Sequence, residues 1–271
     1  MNIALLLFKT KNRVLGTLSP AHAARQARDL FLTPKRYPIK QWEEEMEQRG
    51  QRIEAGNGLS AISWGQSERK ILIAHGWESR ATQMSGFVDV LLEKGFEVIA
   101  LDGPAHGHSN GSWANPYLFA QAVAHAYKKL GPFEGVIGHS MGGNAVATAI
   151  SEGMECSKVV LISSPSSIDN VLNRFANFIG LPDSAGRKFI AMVEDKVGKS
   201  THHLNTASNI SKGSIKGLII HDRSDVEIPY EEALEINRYW VNASLFSTEG
   251  FGHRAIVRQP IVWEKAANFL A

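Results

Sequence analysis

The segment Phe133-Glu-Gly-Val-Ile-Gly-His-Ser-Met-Gly-Gly143 holds the pattern Gly-x-Ser-x-Gly between a short apolar run and an Ala-rich stretch. The apolar run predicts a strand, and residues 144–150 predict a helix. A serine hydroxyl is a weak nucleophile, so it must stand clear of the fold and beside a base. Gly138 and Gly142 are expected where a Cβ would clash across so tight a turn. The pattern predicts Ser140 as a nucleophile; the alternative is a glycine-rich turn that contains a serine by chance.

Composition and charge narrow the class of protein. The chain has 271 residues, of which 44% are hydrophobic and 21% charged, as expected for one α/β domain with some decoration. Lys and Arg total 29 against 27 Asp and Glu, without a long basic run, so nucleic acid is not expected as a partner. The single cysteine, Cys156, excludes an internal disulfide and a multi-cysteine zinc site, and it fits a reducing, cytoplasmic compartment.

Residues 1–50 differ from the rest and are predicted to form an N-terminal helical extension. Met1 to Phe8 is apolar but shorter than the roughly 20 residues that a membrane span needs, and its basic residues follow rather than precede it. We interpret it as a docking helix, with weak anchoring at a membrane surface as the alternative. Residues 20–32 show helical spacing, and residues 41–49 predict a solvated helix or turn. A lid or edge-covering role is our expectation for this section.

Residues 51–271 are predicted to form the main domain, in which strands and helices alternate. A hairpin with an Asn57-Gly58 turn comes first, and short apolar runs separated by amphipathic helical patterns follow. Such alternation predicts an α/β fold with a mostly parallel central sheet and helices on both faces. It stops between about residues 164 and 213, where helical patches occur without a strand. We predict a helical lid there, because long connections at this side of a sheet often cover a site.

Polar residues follow four of the predicted strands, at the sheet edge where α/β proteins bind ligands. The first is His75-Gly76-Trp77, where the Trp77 amide is placed to stabilise an oxyanion together with the Met141 amide. His75 itself is expected to be structural. The second, residues 102–109, contains two histidines and an aspartate, a combination that can bind a metal. Because no further Cys/His cluster accompanies them, we expect a structural loop, no metal and no organic cofactor.

The two other strand ends supply a carboxylate and a histidine. Asp222 and Asp225 both follow the strand near residue 220, and we favour Asp225 because it lies within the loop, ahead of Pro229. His253 lies in a glycine-flanked loop after the last strand and is the expected general base. The order Ser140, Asp225, His253 is the Ser…Asp…His order expected for this arrangement.

With these motifs established, the chain from about residue 51 onward resembles the α/β-hydrolase superfamily, and within it the serine esterases. The matching segments are His75-Gly76-Trp77, residues 102–109, residues 138–143, residues 225–229 and Gly252-His253. The resemblance implies Ser140 as nucleophile, Asp225 as acid, His253 as base, and the Trp77 and Met141 amides as the oxyanion hole. Many relatives have His-Gly at the position of His221-Asp222. Because this chain has an aspartate there, Asp222 remains an alternative to Asp225 as the acid. The first fifty residues lie outside the resemblance.

The implied reaction is a two-step acyl transfer through an acyl-enzyme on Ser140. A small or medium carboxylic ester, or a thioester, is the expected substrate, and stable membrane insertion is not expected. Four aromatic residues are candidates to line an apolar substrate pocket, with packing of the lid as the alternative: Trp77, Trp113, Phe175 and Phe178. Serine aminopeptidase, lipase, C–C bond hydrolase and a non-catalytic ligand-binding protein of this fold are alternative functions. The oligomeric state is left open.

Overall fold

A central eight-stranded sheet organises the protein, which a computed structural model describes over residues 3–211 and 215–271. In space the strands follow the order β1-β2-β4-β3-β5-β6-β7-β8. β2 pairs antiparallel with β1 and β4, and all the other neighbours are parallel. The strands are β1 Gln51–Gly56, β2 Leu59–Trp64, β3 Lys70–Ala74, β4 Glu97–Leu101, β5 Gly135–His139, β6 Lys158–Ile162, β7 Lys216–Asp222 and β8 Ala243–Thr248. The predicted mostly parallel α/β sheet is confirmed.

Helices flank the sheet and extend beyond one of its edges. The α-helices are α1 Ile3–Leu18, α2 Pro20–Leu32, α3 Gln41–Gln48, α4 Gly86–Glu93, α5 Pro116–Leu130, α6 Met141–Ser151, α7 Ile168–Ile179, α8 Asp183–Val197, α9 Thr206–Ile210, α10 Tyr230–Tyr239, α11 Gly252–Ala255 and α12 Pro260–Leu270. Short 3₁₀ helices lie at Ala81–Met84, Thr201–Leu204 and Ile256–Arg258. None of the helices in these described ranges combines the length and apolarity that crossing a membrane requires.

Both faces of the sheet are covered, which explains why its central strands β3, β5 and β6 are mostly apolar. Side chains alternate between the two faces of a strand. In β3, Leu72 and Ala74 pack into the cluster beneath α5, α6 and α10, whereas Ile71 and Ile73 pack into the cluster beneath α4 and α12. Because both faces of β3 meet a helix layer, apolar residues are favoured at successive positions along the strand.

The predicted hairpin at the start of the sheet is confirmed. β1 and β2 are joined by Asn57 and Gly58, which have φ values of 54° and +74°. Positive φ at both central residues is the requirement of a type I′ turn, and Asn-Gly meets that requirement at low cost. This hairpin forms the antiparallel end of the sheet.

Helices α1, α2, α7 and α8 pack together into one unit, which we call the cap. Ala23, Ala24 and Ala27 of α2 share a hydrophobic cluster with Leu172 of α7 and Phe189 of α8. The small alanine side chains allow the helices to approach closely, so this part of the cluster is densely packed. The predicted N-terminal extension and the predicted lid therefore contribute to one hydrophobic core.

The segment predicted as a lid is helical, as expected from its sequence. It contains α7, α8, the 3₁₀ helix Thr201–Leu204 and α9, and no strand is found in its described part, which ends at residue 211. The predicted end of the lid at about residue 213 lies outside the described residues, as do Met1 and Asn2 at the start of the extension.

Residues 33–40, which we call the strap, connect α2 to α3 and run along the loops that follow β3 and β4. Arg36 in the strap donates hydrogen bonds to the carbonyl oxygens of Ala105 (3.1 Å) and Ser109 (2.8 Å). Arg80 donates to the carbonyl oxygens of Tyr37 (2.7 Å) and Pro38 (2.9 Å). The strap is thus held to the core by charged donors that satisfy backbone acceptors.

Helix α3 differs from the sequence-based expectation at one residue. The segment was expected to be solvated, and most of its side chains are exposed, but Glu43 is fully buried (0% exposed). Its carboxylate accepts hydrogen bonds from Arg80 Nε (2.7 Å) and Thr82 Oγ1 (2.9 Å). Burial raises the pKa of Glu43, but the bonds from Arg80, the Lys40 amide and Thr82 outweigh burial and bring the net pKa below its ordinary value.

We expect the substitution Arg80→Leu to destabilise the fold by about 3 kcal/mol at neutral pH, because it leaves the charge of Glu43 buried and unpaired. Urea unfolding measures this difference. It should shrink as the pH is lowered toward about 4, where Glu43 in the variant takes up a proton and loses its charge.

The matched control is Arg49→Leu, which removes an ion pair with Asp89 whose side chains are 49% and 60% exposed. This loss should cost less than about 1 kcal/mol. Equal effects of the two substitutions would contradict the structural role assigned to the Arg80–Glu43 pair.

Candidate active site

Ser140 lies at the turn between β5 and α6 in a strained backbone conformation. Its φ is 52° and its ψ is −120°, a region that residues with a side chain rarely adopt. The turn is held from both sides: the Ser140 amide donates to the carbonyl of Ile162 (2.9 Å), and the Ser140 carbonyl accepts from the amide of Gly143 (3.0 Å). These bonds to β6 and α6 explain how the strain is maintained.

The two glycines of the Gly-x-Ser-x-Gly pattern are required by close contacts. A Cβ on Gly138 would lie 2.5 Å from the Cα of Gly143, which is the clash across the turn that the sequence predicted. A Cβ on Gly142 would lie 2.4 Å from the carbonyl oxygen of Ala74. The second constraint therefore comes from the neighbouring strand β3 rather than from the turn itself.

The three residues singled out by their order in the sequence meet at this turn. His253 Nε2 lies 2.9 Å from Ser140 Oγ, and His253 Nδ1 lies 2.8 Å from Asp225 Oδ2. All three are shielded from solvent, with exposed fractions of 9% for Ser140, 8% for His253 and 5% for Asp225. With Nδ1–H donated to a carboxylate, Nε2 is the acceptor, and it is aligned to take the proton of the serine hydroxyl.

The Asp225 carboxylate is kept ionised by its partners. Burial raises the pKa of Asp225, but the hydrogen bond and charge of His253 and the Ile228 amide outweigh burial, so the net pKa is lowered. The second oxygen, Oδ1, accepts from the amides of Glu227 (2.9 Å) and Ile228 (2.8 Å). Both oxygens are therefore occupied, which fixes the orientation of the carboxylate toward His253.

Asp222, the competing acid, has a different set of partners. Its Oδ2 accepts from Thr248 Oγ1 (2.7 Å) and the Phe251 amide (3.1 Å), and its Oδ1 accepts from the Gly252 amide (3.0 Å). Burial raises the pKa of Asp222, but these hydrogen bonds bring it below its ordinary value. Asp222 thus braces the loop that carries His253, and the carboxylate in contact with the imidazole is that of Asp225.

Two further histidines stabilise this arrangement, and sequence reasoning assigned them no role. His139 Nε2 donates to the carbonyl oxygen of His253 (3.0 Å), and His221 Nε2 donates to the carbonyl oxygen of Ile228 (2.9 Å). Burial, followed by the nearby His253, lowers the pKa of His139 to about 3, so its ring is neutral. The position of His139 directly before Ser140 was the one available signal.

The backbone amides of Trp77 and Met141 are the predicted oxyanion donors. Met141 is the first residue of α6, and Trp77 follows Gly76, which passes so close to the nucleophile that a Cβ on it would lie 3.1 Å from Ser140 Cβ. Within residues 3–211 and 215–271, neither amide donates to a protein acceptor. Two unpaired N–H groups beside a serine hydroxyl can bind a negatively charged oxygen.

The histidines that follow β3 and β4 are structural, as expected. His75 Nδ1 donates to the Gly76 carbonyl (2.6 Å) while His75 Nε2 accepts from the Gly103 amide (2.9 Å). His106 Nε2 accepts from the Glu78 amide (3.1 Å). Burial lowers the pKa of both rings. In the described part of the chain, no group of three or more His, Cys, Asp or Glu side chains is arranged to hold a metal ion.

The four candidate pocket residues separate into different environments. Trp77 and Phe175 belong to a chain of aromatic rings in which Phe31 stacks on Trp77 (6.2 Å between ring centroids) and meets Phe175 edge-on (5.1 Å). Trp113 lies at the edge of the cap cluster with Lys196 over its ring. Phe178 is 57% exposed beside Lys9, which corrects its prediction as a pocket residue. Phe175 packs against the cap cluster, whereas Phe178, three residues further along α7, lies outside that cluster.

Phe31 was missed because it lies in the N-terminal extension, outside the segments that carry the resemblance. Phe189, its edge-on neighbour at 5.8 Å, was missed as well. Helical spacing predicts which face of α2 or α8 is buried but not which residues of a distant segment that face will meet. Only the packing of α2 against α8 reveals the contact.

Comparisons with known proteins identify the family of the chain. Residues 71–209 match the model of a family described as the alpha/beta hydrolase family. A serine hydrolase-like protein of Dictyostelium discoideum is 32% identical over 109 residues, which are 38% of this chain and 30% of that protein. The match thus spans less than a third of the length of that relative.

Solved structures show the same fold at low sequence identity. An esterase of Pyrococcus furiosus superimposes with a TM-score of 0.65 and 22% identity, covering 88% of this chain and 95% of that one. A bromoperoxidase of Bacillus anthracis gives a TM-score of 0.61 and 19% identity, covering 82% of this chain and 99% of that one. At these identities the likeness extends to the fold alone.

The strain at Ser140 predicts that a variant lacking the Cβ gains stability. Ser140→Gly should unfold at higher urea concentration than Ser140→Ala, with a difference of about 1 kcal/mol. Glycine relieves the backbone strain but loses more conformational entropy on folding than alanine does, and about 1 kcal/mol is the difference between the two free energies. Both variants lose the hydrogen bond to His253, so their difference isolates the backbone. A glycine variant no more stable than the alanine variant would show that the turn is unstrained.

Proposed function

The chain belongs to the alpha/beta hydrolase family, and we propose that within it the protein is a serine hydrolase acting on small or medium carboxylic esters. The observation that carries the proposal is the continuous hydrogen-bonded path from Asp225 through His253 to Ser140, with contacts of 2.8 and 2.9 Å. A buried imidazole joined on one side to a carboxylate and on the other to a hydroxyl is the arrangement that activates serine.

In the proposed reaction, Ser140 Oγ attacks the carbonyl carbon of the ester while His253 Nε2 takes its proton. Asp225 stabilises the imidazolium that forms. The negative charge that develops on the carbonyl oxygen is bound by the Trp77 and Met141 amides, each worth roughly 3–4 kcal/mol in the transition state. His253 then protonates the leaving alcohol, which leaves an acyl group on Ser140.

The second half of the reaction releases the acid. A water molecule takes the place of the alcohol, and His253 removes its proton as it attacks the acyl carbon. The tetrahedral intermediate uses the same two amides, and its collapse returns the proton from His253 to Ser140. The water and the acyl group account for all the atoms of the acid, so the cycle draws only on the residues already named.

The proposed substrate class rests on the rings around Trp77. Phe31, Phe175 and Trp77 are half-buried and in contact, so they keep some exposed aromatic surface, and Trp77 also carries an amide that would bind the oxyanion. Such a surface suits an apolar acyl or alcohol group. Carboxylic esters, in the class EC 3.1.1, are the proposed substrates, and thioesters of similar size share the required carbonyl chemistry.

A reducing, cytoplasmic location is also proposed, because the sequence has one cysteine, Cys156, and therefore does not depend on an internal disulfide. The thiol is half-buried and donates to the Lys158 carbonyl (3.2 Å). Burial raises the pKa of Cys156 to about 11, so the thiol is protonated and poorly reactive. A small-molecule ester is the partner that the proposal requires.

A fluorophosphonate probe tests whether the serine is activated. The wild-type protein should be labelled at Ser140 in a one-to-one ratio, and both the labelling and the hydrolysis of p-nitrophenyl butyrate should vanish in Ser140→Ala. Intact-protein mass spectrometry counts the label. A folded wild-type protein that neither reacts with the probe nor hydrolyses esters would favour the alternative of a non-catalytic ligand-binding protein.

The identity of the acid is tested by comparing two matched substitutions. Asp225→Asn should lower kcat for p-nitrophenyl butyrate on the order of 10⁴-fold, because an amide facing His253 disfavours the tautomer and the imidazolium that the reaction needs. Asp222→Asn removes a loop brace and should lower kcat by less than about ten-fold while lowering the unfolding midpoint. The reverse ranking of kcat would identify Asp222 as the acid.

A further inference from the structure

The N-terminal extension reaches the loop that carries the proposed oxyanion donor. Phe31, in the last turn of α2, lies nearly parallel to the Trp77 ring, with 6.2 Å between centroids and 13° between planes. Trp77 packs against the sheet cluster that contains Met141, whereas Phe31 packs against the cap cluster. The Phe31–Trp77 contact therefore lies where the cap meets the core. Trp77 directly follows Gly76, whose backbone closely approaches Ser140.

Strap residues that follow Phe31 fix its position by contacts with the same loop. The Lys35 amide donates to Glu78 Oε1 (3.1 Å), and the Tyr37 hydroxyl donates to Glu78 Oε2 (3.1 Å). Glu78 directly follows Trp77 and has a positive φ of 55°. The carboxylate thus ties the strap to the loop, so Phe31 and Trp77 are held as a unit.

The other side of Phe31 is bounded by the lid helices. Its ring meets Phe175 of α7 edge-on at 5.1 Å and Phe189 of α8 edge-on at 5.8 Å. Phe189 is fully buried, whereas Phe31, Phe175 and Trp77 are half-buried. Phe189 therefore serves as packing behind the ring of Phe31, and the three half-buried rings retain surface that a ligand can cover.

We propose that the N-terminal extension completes the substrate-binding site, with Phe31 as a specificity-determining residue. Together with Trp77 and Phe175 it forms an aromatic wall that contacts the apolar chain of the ester. The exposed parts of half-buried aromatic rings can bind alkyl and aryl groups by dispersion and by removal of apolar area from water. This inference rests on the proposed ester hydrolysis and names the residues that select its substrates.

The aromatic wall should favour esters with longer chains, because each methylene in contact with it adds to the binding of the transition state. We expect kcat/KM of the wild type to rise from p-nitrophenyl acetate to p-nitrophenyl hexanoate. Phe31→Ala should lower the ratio of these two kcat/KM values about ten-fold or more, since a single methylene in an apolar pocket is typically worth at least that factor. Phe31→Leu, which keeps an apolar side chain of similar reach, should retain most of the ratio.

The control variant is Phe178→Ala, which removes the same side chain from the exposed side of α7. The hexanoate-to-acetate ratio should equal that of the wild type. A second substrate pair, ethyl acetate and hexyl acetate, shows which half of the ester meets the wall. If Phe31→Ala lowers only the ratio for the two p-nitrophenyl esters, the wall contacts the acyl chain. If it lowers only the ratio of hexyl acetate to ethyl acetate, the wall contacts the alcohol.

Failure of this inference and failure of the hydrolase proposal give different results. Fluorophosphonate labelling of Ser140 in Phe31→Ala reports whether the fold and the nucleophile are intact. An unchanged ratio for both substrate pairs in a labelled variant would overturn the role of Phe31 and leave the hydrolase intact. An equal fall for long and short esters would make Phe31 a structural residue only. A wild-type protein that does not label would overturn both proposals.

Discussion

The strained turn at Ser140 determines how closely α6 packs against the sheet and where the proposed catalytic residues meet. Ser140 has a φ of 52°, and its hydroxyl lies 2.9 Å from His253 Nε2. Two backbone hydrogen bonds hold this conformation. The Ile162 carbonyl in β6 accepts from the Ser140 amide, and the Gly143 amide in the first turn of α6 donates to the Ser140 carbonyl. Gly142 lies so close to Ala74 that a side chain there would push α6 away from β3. The close packing of α6 against β3 and the backbone strain at Ser140 therefore depend on each other.

Much of the fold could be predicted from the sequence because strands and tight turns are indicated by residues that are neighbours in the chain. Apolar runs such as Lys158–Ile162 indicate strands buried on both faces, and Asn57-Gly58 indicates a two-residue hairpin turn. The meeting of Ser140, Asp225 and His253 could also be anticipated, because parallel strands place their carboxyl ends at one edge. Position after the strand near residue 220 left two candidates for the acid, Asp222 and Asp225. The hydrogen bonds of the loop distinguish them, because Asp225 faces the imidazole whereas Asp222 binds backbone amides.

The features that escaped sequence reasoning depend on contacts between segments far apart in the chain. Glu43 looked like a solvated charge because its partner, Arg80, lies 37 positions away. Phe175 and Phe178 are equivalent as residue types, and only the packing of α7 against α2 and α8 separates an inward ring from an exposed one. Phe31 lies outside the family core, so neither motif nor resemblance reached it. Periodicity gives the buried face of a helix but not the partner of that face.

Capture of the proposed acyl-enzyme would show whether acyl transfer passes through the Ser140 hydroxyl. Wild-type protein mixed with p-nitrophenyl butyrate and quenched in acid within milliseconds should carry a butyryl group. Peptide mass spectrometry should locate that group on the peptide that contains Ser140, and Ser140→Ala should carry none. Sustained ester hydrolysis by the Ser140→Ala protein, or a butyryl group on another residue of the wild type, would contradict the account.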